Sequence, residues 1–214
     1  MKALLLAAGA GTRLLPLTAS TPKPLLPVQG QPLINRLIAA VRAAGIREFV
    51  INLHHLGHLI ESHLGDGSRF GVEITYSRED RVLETGGGIV NALPLLSNAP
   101  FLIVNGDILT DFDFRSLEPL HATDLAHLVL IPRPAYRETG DFECEHGRIH
   151  RRGNRYVYGG MAIVDPALFA DAPPAPFSWN VLMWAAAARG QLSAQVHNGQ
   201  WLDIGTPEQY ASVC

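Results

Sequence analysis

The most constraining feature of the chain is an apolar strand pattern that runs directly into a glycine-rich turn. Residues 3–7 are all aliphatic, as in a buried parallel strand, and Gly9 and Gly11 follow at once. A secretory signal explains the segment less well, because Gly9, Gly11 and Arg13 interrupt its apolar run. Backbone N–H groups in such a turn can converge on a phosphate. The segment therefore predicts an α/β protein with a phosphate-binding first loop.

Strand and helix patterns alternate along most of the chain, which is typical of a doubly wound sheet. Strands are predicted at residues 3–7, 49–52, 72–76, 101–105 and 127–131, and helices at 33–44, 56–64 and 88–96. After about Pro132 the pattern changes to short antiparallel strands at 141–144, 148–150 and 156–164, with turns at 146–147 and 153–154. A helix capped by Ser178, a strand at 193–197 and a terminal helix capped by Thr206 complete the chain.

Composition excludes several classes of protein. The net charge of -3 argues against a nucleic-acid-binding surface, and 47% hydrophobic residues argue against disorder. Cys144 and Cys214 are too few for a disulfide scaffold, which favours a reducing cytoplasm. The uncharged stretch 86–106 approaches membrane length, but Pro94, Pro100 and its polar residues predict a core helix and strand with no membrane span. We expect one α/β domain over residues 1–214, as a monomer or small homo-oligomer.

Three phosphate-binding motifs compete for the glycine turn. A Walker loop requires Gly-Lys-Ser/Thr, which is absent. A dinucleotide fingerprint requires a small residue where Leu14 stands and a helix where the chain is rich in proline. A nucleoside triphosphate loop fits better, because Arg13 and Lys23 supply cations and the nearby prolines stiffen the segment that holds them.

Residues 3–33, ALLLAAGAGTRLLPLTASTPKPLLPVQGQPL, resemble the N-terminal signature of the sugar-1-phosphate nucleotidylyltransferases. The likeness continues through the triple glycine after Thr85, the Asn105-Gly106-Asp107 run and the segment 201–207. Within this family the chain is most similar to the members that act on N-acetylmuramate 1-phosphate in cell-wall recycling. The features shared with them are the compact length, the triple glycine, the run 64–71 and Gly140-Asp141-Phe142.

The resemblance implies a fold, a reaction and a set of site residues. The fold is a single Rossmann-like, doubly wound mixed sheet with a small antiparallel acceptor subregion, divided into a nucleotide-binding half (about 1–110) and a sugar-phosphate-binding half (about 111–214). The implied substrates are UTP and a sugar 1-phosphate. The nucleotide would be bound by Ala8, Gly9, Gly11, Thr12, Arg13, Lys23, Thr85, Gly86 and Asn105. Asn105 and Asp141 would bind the acceptor, and Arg13, Lys23 and Asp107 would be catalytic.

The chemistry of such a transfer explains these residue types. The attacking phosphate oxygen is already an anion, so the main obstacle is repulsion between two polyanions and charge on the leaving pyrophosphate. Asp107 and Asp203 are hard oxygen ligands that suit Mg²⁺. Each alone has a simpler explanation, such as a helix cap, and the two together favour the metal.

Several other side chains have competing explanations. Asp141 is either an acceptor ligand or a residue of a strand-edge turn. Four arginines, Arg148, Arg151, Arg152 and Arg155, either meet an anion of the acceptor or form a solvated hairpin face. His54 and His58 have the spacing of a zinc pair but lack the metalloprotease glutamate, so a polar helix start is favoured. Cys144 is expected to be a buried small hydrophobe.

Two alternatives to uridylyl transfer onto N-acetylmuramate 1-phosphate remain at the level of sequence. One keeps the reaction with other substrates, as in a hexose-1-phosphate guanylyl- or thymidylyltransferase or a phosphocholine cytidylyltransferase. The other is a non-catalytic regulatory subunit that binds nucleotide sugars. The intact set of Arg13, Lys23, Asp107 and Asp203 argues against the latter.

Overall fold

A mixed sheet of eight strands lies at the centre of the computed structural model, which describes residues 1–214. The strands of the chain, numbered in order, are β1 (Ala3–Leu6), β2 (Pro27–Val28), β3 (Gln31–Pro32), β4 (Glu48–Leu53), β5 (Glu73–Arg78), β6 (Phe101–Asn105), β7 (Ile108–Thr110), β8 (Ala126–Pro132), β9 (Phe142–Glu145), β10 (Arg148–Val164), β11 (Leu192–Val196) and β12 (Trp201–Asp203). The α-helices are α1 (Leu33–Ala43), α2 (Gly57–Leu64), α3 (Glu84–Ala92), α4 (Asn180–Ala188) and α5 (Pro207–Ala211).

The strand order of the central sheet is β11-β8-β10-β6-β1-β4-β5, with β9 paired to β10. Strands β6, β1, β4 and β5 are parallel to one another, and β10 runs antiparallel to β6 and β8. The chain moves outward from β1 to β4 and β5, and then returns to place β6 on the other side of β1. This reversal of direction opens a crevice at the carboxyl ends of β1 and β6, which is where ligands bind in open α/β sheets. The predicted fold class is confirmed.

Successive residues of β1 pack on opposite faces of the sheet, as a strand period of two requires. Leu4 belongs to a core that includes Ile89 of α3 and Met183 of α4. Leu5 belongs to a second core with Ile38 of α1 and Ile60 of α2. Helices therefore cover both faces, and the all-aliphatic sequence of β1 follows from its burial on both sides.

The triple glycine lies inside α3, which begins at Glu84, so the predicted start of this helix at residue 88 and its end at 96 are wrong. A Cβ at Gly86 would collide with the ring of Phe177, and one at Gly88 would lie 2.6 Å from Glu79 Oε1. Glycine is thus required by close packing of the helix against its neighbours. Low helix propensity at these positions is outweighed by tertiary contacts. The uncharged stretch 86–106 forms α3 and β6 as expected, and none of the helices is long and apolar enough to cross a bilayer.

The antiparallel region is more continuous than predicted. Strand β10 extends from Arg148 to Val164, so the turn predicted at residues 153–154 is wrong, and irregular pairing with β9 occurs there instead. The turn at 146–147 is confirmed, with φ of 50° and 75° at its two residues. The cap predicted at Ser178 is wrong, because α4 begins at Asn180 and Trp179 occupies the N-cap position. Ser178 Oγ accepts a long hydrogen bond of 3.4 Å from the Asn180 N–H.

Two two-stranded sheets lie outside the main sheet. Strands β2 and β3 form a hairpin, and β12 pairs antiparallel with β7 so that Asp203 lies opposite Ile108. These strands have only two or three residues and therefore carry no readable period in the sequence. The predicted cap of α5 is confirmed, because Thr206 Oγ1 accepts a hydrogen bond from the Gln209 N–H at 3.3 Å.

Candidate active site

The carboxyl ends of β1 and β6 bring the glycine loop and Asp107 to the same edge of the sheet. Leu6 and Asn105 are partners in the parallel pairing of the two strands. Beyond this pair, the Gly106 N–H donates to the Leu6 carbonyl at 2.9 Å. A Cβ at Gly106 would lie 2.6 Å from the same oxygen, so glycine is needed where the backbone segments after β1 and β6 separate. The loop and the carboxylate are therefore held together by the sheet itself.

The loop at residues 8–11 presents free backbone donors. None of the hydrogen bonds within the chain uses the N–H groups of these four residues, whereas the Ala7 N–H is bound. Gly11 has φ +64°, and its carbonyl accepts from Thr18 Oγ1 at 2.8 Å, which fixes the end of the loop. The loop lines a cavity of about 350 Å³ together with Arg13 and Lys23. Unpaired N–H groups beside two cations make a site for a polyanion.

The guanidinium of Arg13 lies at the rim of this cavity and makes no hydrogen bond or ion pair within the chain. It packs against Gly205, where a Cβ would lie 3.1 Å from both Nη1 and Nη2. All five N–H donors of Arg13 are thus available for a ligand. Their planar fork matches the oxygen atoms of a phosphate group.

Lys23 is the second cation, and it is paired with Asp107. The distance from Lys23 Nζ to Asp107 Oδ2 is 2.6 Å, and the side chains are 11% and 33% exposed. Lys23 begins a short 3-10 turn between Pro22 and Pro24, which fixes the backbone that carries the ammonium group. Asp107 Oδ1 receives no hydrogen bond from the chain, so one carboxylate oxygen remains free for a further ligand.

Asp203 reaches the same region through the pairing of β12 with β7. The Ile204 N–H donates to the Asp107 carbonyl at 2.8 Å, which ties the two aspartate segments together. Asp203 Oδ1 accepts hydrogen bonds from the Tyr136 hydroxyl at 2.6 Å and from Gln209 Nε2 at 3.2 Å. Two effects raise the pKa of Tyr136: burial, which is the larger, and the hydrogen bond to Asp203. The hydroxyl therefore stays protonated and remains a donor.

A second cavity, of about 210 Å³, adjoins the first. Asn105 and Asp107 line both cavities, and therefore mark the place where their contents meet. Asp141 and Asp203 line only the second. The other residues of the second cavity are Ile108, Arg137, Phe142, Tyr158, Asn180, Trp184 and Trp201. None of these was a candidate site residue on sequence, although Phe142 and Trp201 lie in segments that carry the family resemblance, because only the fold brings them together.

A buried polar network supports the glycine loop from below. Asn52 Oδ1 accepts from the Ala7 N–H at 2.6 Å, and Asn52 Nδ2 donates to Glu79 Oε1 at 2.7 Å. Asn52 and Glu79 are 3% and 8% exposed and both line the first cavity. They had not been singled out in the sequence, where polar residues at strand ends carry no special signal. Desolvation by burial raises the pKa of Glu79, against the lowering effect of the bond from Asn52.

Glu79 therefore makes stability depend on pH. Its carboxyl is harder to ionise in the folded chain than in the unfolded chain, so the folded state loses stability as pH rises from about 4.5 through the raised pKa. We expect Glu79→Gln to unfold at a higher urea concentration than the unmodified chain at pH 7.5, with the difference shrinking towards pH 4.5. Urea titrations across this range measure it, with Glu73→Gln, at an exposed position, as the control. A difference that grows towards low pH would contradict this assignment.

The remaining residues that the sequence proposed for binding lie in different places in the structure. Thr85 lines the first cavity, whereas Gly86 is buried and donates its N–H to the Phe177 carbonyl at 2.9 Å. The four arginines are dispersed: Arg148 pairs with Asp124, and Arg152 lies over the ring of Trp184 at 3.2 Å from its centroid.

Two further predictions concern residues outside the cavities. His54 precedes α2 and contacts the Glu79 carbonyl through Nδ1 at 2.9 Å. Its spacing from His58 is therefore not that of one helix face. Cys144 is a buried core residue, as expected, and burial raises the pKa of its thiol.

Comparison with known proteins agrees with this geometry. The nucleotidyl transferase family model matches residues 2–141. The chain is 44% identical to the N-acetylmuramate alpha-1-phosphate uridylyltransferase of Neisseria meningitidis serogroup B, over 96% of this chain and 94% of that one. The chain belongs to the nucleotidyl transferase family. It is an enzyme of the sugar-1-phosphate nucleotidylyltransferase type, and this family generally uses a divalent metal.

Two further comparisons show a match to part of a longer protein and a likeness in fold. The catalytic subunit beta of mannose-1-phosphate guanylyltransferase from Danio rerio is 30% identical over 98% of this chain but only 62% of its own. A structure from Bacillus anthracis, assigned provisionally as a glucose-1-phosphate thymidylyltransferase, superposes with a TM-score of 0.87 at 23% identity, covering 100% of this chain and 93% of that one. The last comparison supports the fold alone.

Proposed function

We propose that this family member transfers a uridylyl group from UTP to N-acetylmuramate 1-phosphate, giving UDP-N-acetylmuramate and pyrophosphate. The observation that carries the proposal is the meeting of two cavities at Asn105 and Asp107. The first cavity has the donors and cations that a triphosphate needs, and the second has room for a sugar. The similarity to the Neisseria uridylyltransferase, which extends over nearly the full length of both chains, supports these substrates.

Residues 8–13 and Lys23 would bind the triphosphate in the first cavity, with Thr85 at the nucleoside side. The free N–H groups of the loop and the guanidinium of Arg13 suit the β- and γ-phosphates, which leave as pyrophosphate. Lys23, at the junction beside Asp107, is placed to neutralise charge near the α-phosphate. Residues of about 1–110 therefore form the nucleotide-binding half in this proposal, and those of about 111–214 contribute most of the sugar-binding half.

Asp107 and Asp203 would hold the metal, which we propose is Mg²⁺. Each carboxylate has one oxygen without a hydrogen bond from the chain, and both line the same cavity. Two carboxylates suit an ion that takes one or two of them and completes its shell with phosphate oxygens and water. When bound, Mg²⁺ would offset the repulsion between the two phosphorylated substrates.

The reaction then requires little proton transfer from the protein. An oxygen of the sugar phosphate attacks the α-phosphorus of UTP, the bond from this phosphorus to the bridging oxygen breaks, and pyrophosphate leaves with the electron pair. Asn105 and Asp107 position the reacting groups at the junction, and the glycine loop binds the leaving group. We place this activity in the cytoplasm, as a step of peptidoglycan recycling.

Pyrophosphate release tests the proposal directly. UTP, dTTP, GTP and CTP would each be combined with N-acetylmuramate 1-phosphate, N-acetylglucosamine 1-phosphate, glucose 1-phosphate, mannose 1-phosphate and phosphocholine, with and without Mg²⁺. Release confined to UTP with the muramate, and dependent on Mg²⁺, is expected. Another productive pair would reject the proposed substrates and retain the reaction. No release with any pair, despite measurable UTP binding, would favour the regulatory subunit.

Arg13→Ala is expected to weaken the binding of UTP far more than that of the sugar phosphate. The loss of charge-assisted hydrogen bonds to the triphosphate should raise the KM for UTP by about 10- to 100-fold. Steady-state kinetics with each substrate varied in turn measure both constants, and Arg47→Ala, at an exposed position outside both cavities, is the matched control. Equal effects on the two KM values would contradict the assignment of Arg13 to the triphosphate.

A further inference from the structure

The second cavity contains a single cation among three carboxylates. Asp107, Asp141 and Asp203 line it, and Arg137 is the only lysine or arginine that does. A phosphorylated acid entering this cavity therefore meets one fixed positive charge besides any metal held by Asp107 and Asp203. Such an asymmetry in charge makes Arg137 the residue to examine for recognition of a second anionic group.

The loop that carries Arg137 is fixed at several points. The Arg133 N–H donates to the Arg155 carbonyl at 3.0 Å, and Arg133 Nε donates to the Asn154 carbonyl at 3.0 Å. Arg133 Nη1 also donates to the Arg137 carbonyl, and the adjacent Tyr136 binds Asp203. Arg137 is thus presented from an anchored segment, which reduces the entropy lost when a ligand orders its side chain.

The guanidinium of Arg137 retains most of its binding capacity. Its one contact with a side chain is Nη2 to Asp141 Oδ1 at 3.4 Å, and its side chain is 35% exposed. The other oxygen of Asp141 already accepts the Tyr158 N–H at 2.9 Å. Asp141 therefore holds the guanidinium loosely from one side and leaves its other N–H groups free for a planar carboxylate, with which a guanidinium can form two parallel hydrogen bonds.

The position of Arg137 distinguishes a carboxylate from the reacting phosphate. The phosphate of the acceptor must reach the junction of the two cavities, beside Lys23 and Asp107. Arg137 and Asp141 line the second cavity only, so they lie on the side that holds the body of the sugar.

Two aromatic residues that line the same cavity, Tyr158 and Trp184, each have a fully buried polar atom without a partner in the chain, and the ring of Trp184 is covered by Arg152. The side chains of these two residues supply aromatic surface on which the body of a sugar can pack. This wall suits the neutral part of an N-acetylated sugar, while Arg137 suits an acid.

From this arrangement we propose that Arg137 binds a carboxylate of the acceptor and thereby selects an N-acetylmuramate-type acid over N-acetylhexosamine 1-phosphates that lack a carboxylate. The inference rests on the proposed function, and it makes Arg137 a determinant of specificity for the acceptor. The lactyl carboxylate is the only group that distinguishes the charge of N-acetylmuramate 1-phosphate from that of N-acetylglucosamine 1-phosphate, so the two compounds form a matched pair of probes.

The kinetic test compares the unmodified chain with Arg137→Ala, using UTP with N-acetylmuramate 1-phosphate as the acceptor and N-acetylglucosamine 1-phosphate as a competitor. We expect kcat/KM for the muramate to fall by about 10- to 100-fold, mainly through KM, because a charge-assisted pair is lost. The inhibition constant of N-acetylglucosamine 1-phosphate should change less than about threefold. Arg137→Lys should recover part of the loss, since it keeps the charge but not the fork. Arg189→Ala, exposed and outside both cavities, should leave both values unchanged.

A binding measurement separates failure of this inference from failure of the proposed function. Calorimetry would titrate unphosphorylated N-acetylmuramate and N-acetylglucosamine into the unmodified chain and Arg137→Ala, with thermal unfolding as the check on folding. If N-acetylmuramate binds and its binding depends on Arg137, while that of N-acetylglucosamine does not, the inference is supported. It is then supported even without UTP turnover, and only the proposed function fails. Equal losses for both sugars, or no loss for the acid, would overturn the inference while normal turnover would leave the proposed function standing.

Discussion

Asp107→Asn is expected to reduce pyrophosphate release by about 10²- to 10³-fold or more, while the chain remains folded. An amide keeps the shape of the side chain but removes the charge that pairs with Lys23 at 2.6 Å and that would hold the metal. Because Asp107 lines both cavities, this substitution changes the place where we propose that the two substrates react. The measurement is kcat with saturating UTP and sugar phosphate, over a range of Mg²⁺ concentrations.

The control for this substitution is Asp111→Asn, four residues further along the chain. Asp111 is 52% exposed at its side chain, contacts His197 and lines neither of the two cavities. It should retain near-normal turnover, and thermal unfolding should show both variants folded. If Asp107→Asn kept more than a tenth of the activity at every Mg²⁺ concentration, the assignment of this carboxylate to the metal would be wrong.

The first half of the chain could be read from its sequence because its constraints are local. The aliphatic run of β1 reports burial on both faces, and Gly11 reports the φ of +64° that the loop requires. Lys23 between two prolines marks a fixed cation, and its contact with Asp107 is then determined by the order of the strands. Local patterns predicted the glycine loop and the strand before Asp107, and the family resemblance assigned Lys23 and Asp107 to one site with the loop.

The features that escaped sequence reasoning depend on contacts between distant segments. The helix predicted at residues 88–96 actually begins at Glu84 and includes glycines, whose helix propensity is low. Gly86 packs so closely on the ring of Phe177, about ninety residues away in the chain, that a Cβ would collide with it. Glu79 and Asn52 became visible only when β4 and β5 placed them beneath the loop. Arg137 lies outside the cluster of arginines that the sequence emphasised, and only the fold reveals that it lines the second cavity.

Lys23→Ala is expected to lower kcat by about 10²- to 10³-fold with a smaller effect on the KM for UTP. The Lys23 side chain is only 11% exposed, and its ammonium group contacts Asp107, which lines both cavities, so its charge would act where negative charge develops in the proposed transfer. The chain contains one other lysine, Lys2, which contacts the Leu95 carbonyl and Glu48. Lys2→Ala is therefore a matched control and should retain full activity.

The combination of Lys23→Ala with Asp107→Asn tests whether the two side chains act as a unit. Groups that act together in a transition state give strongly non-additive losses, since removal of either one disables the other. We therefore expect the double variant to be only slightly slower than the poorer single variant. If the two losses instead multiplied, Lys23 and Asp107 would contribute independently, and their 2.6 Å contact would be replaced by separate interactions once the substrates are bound.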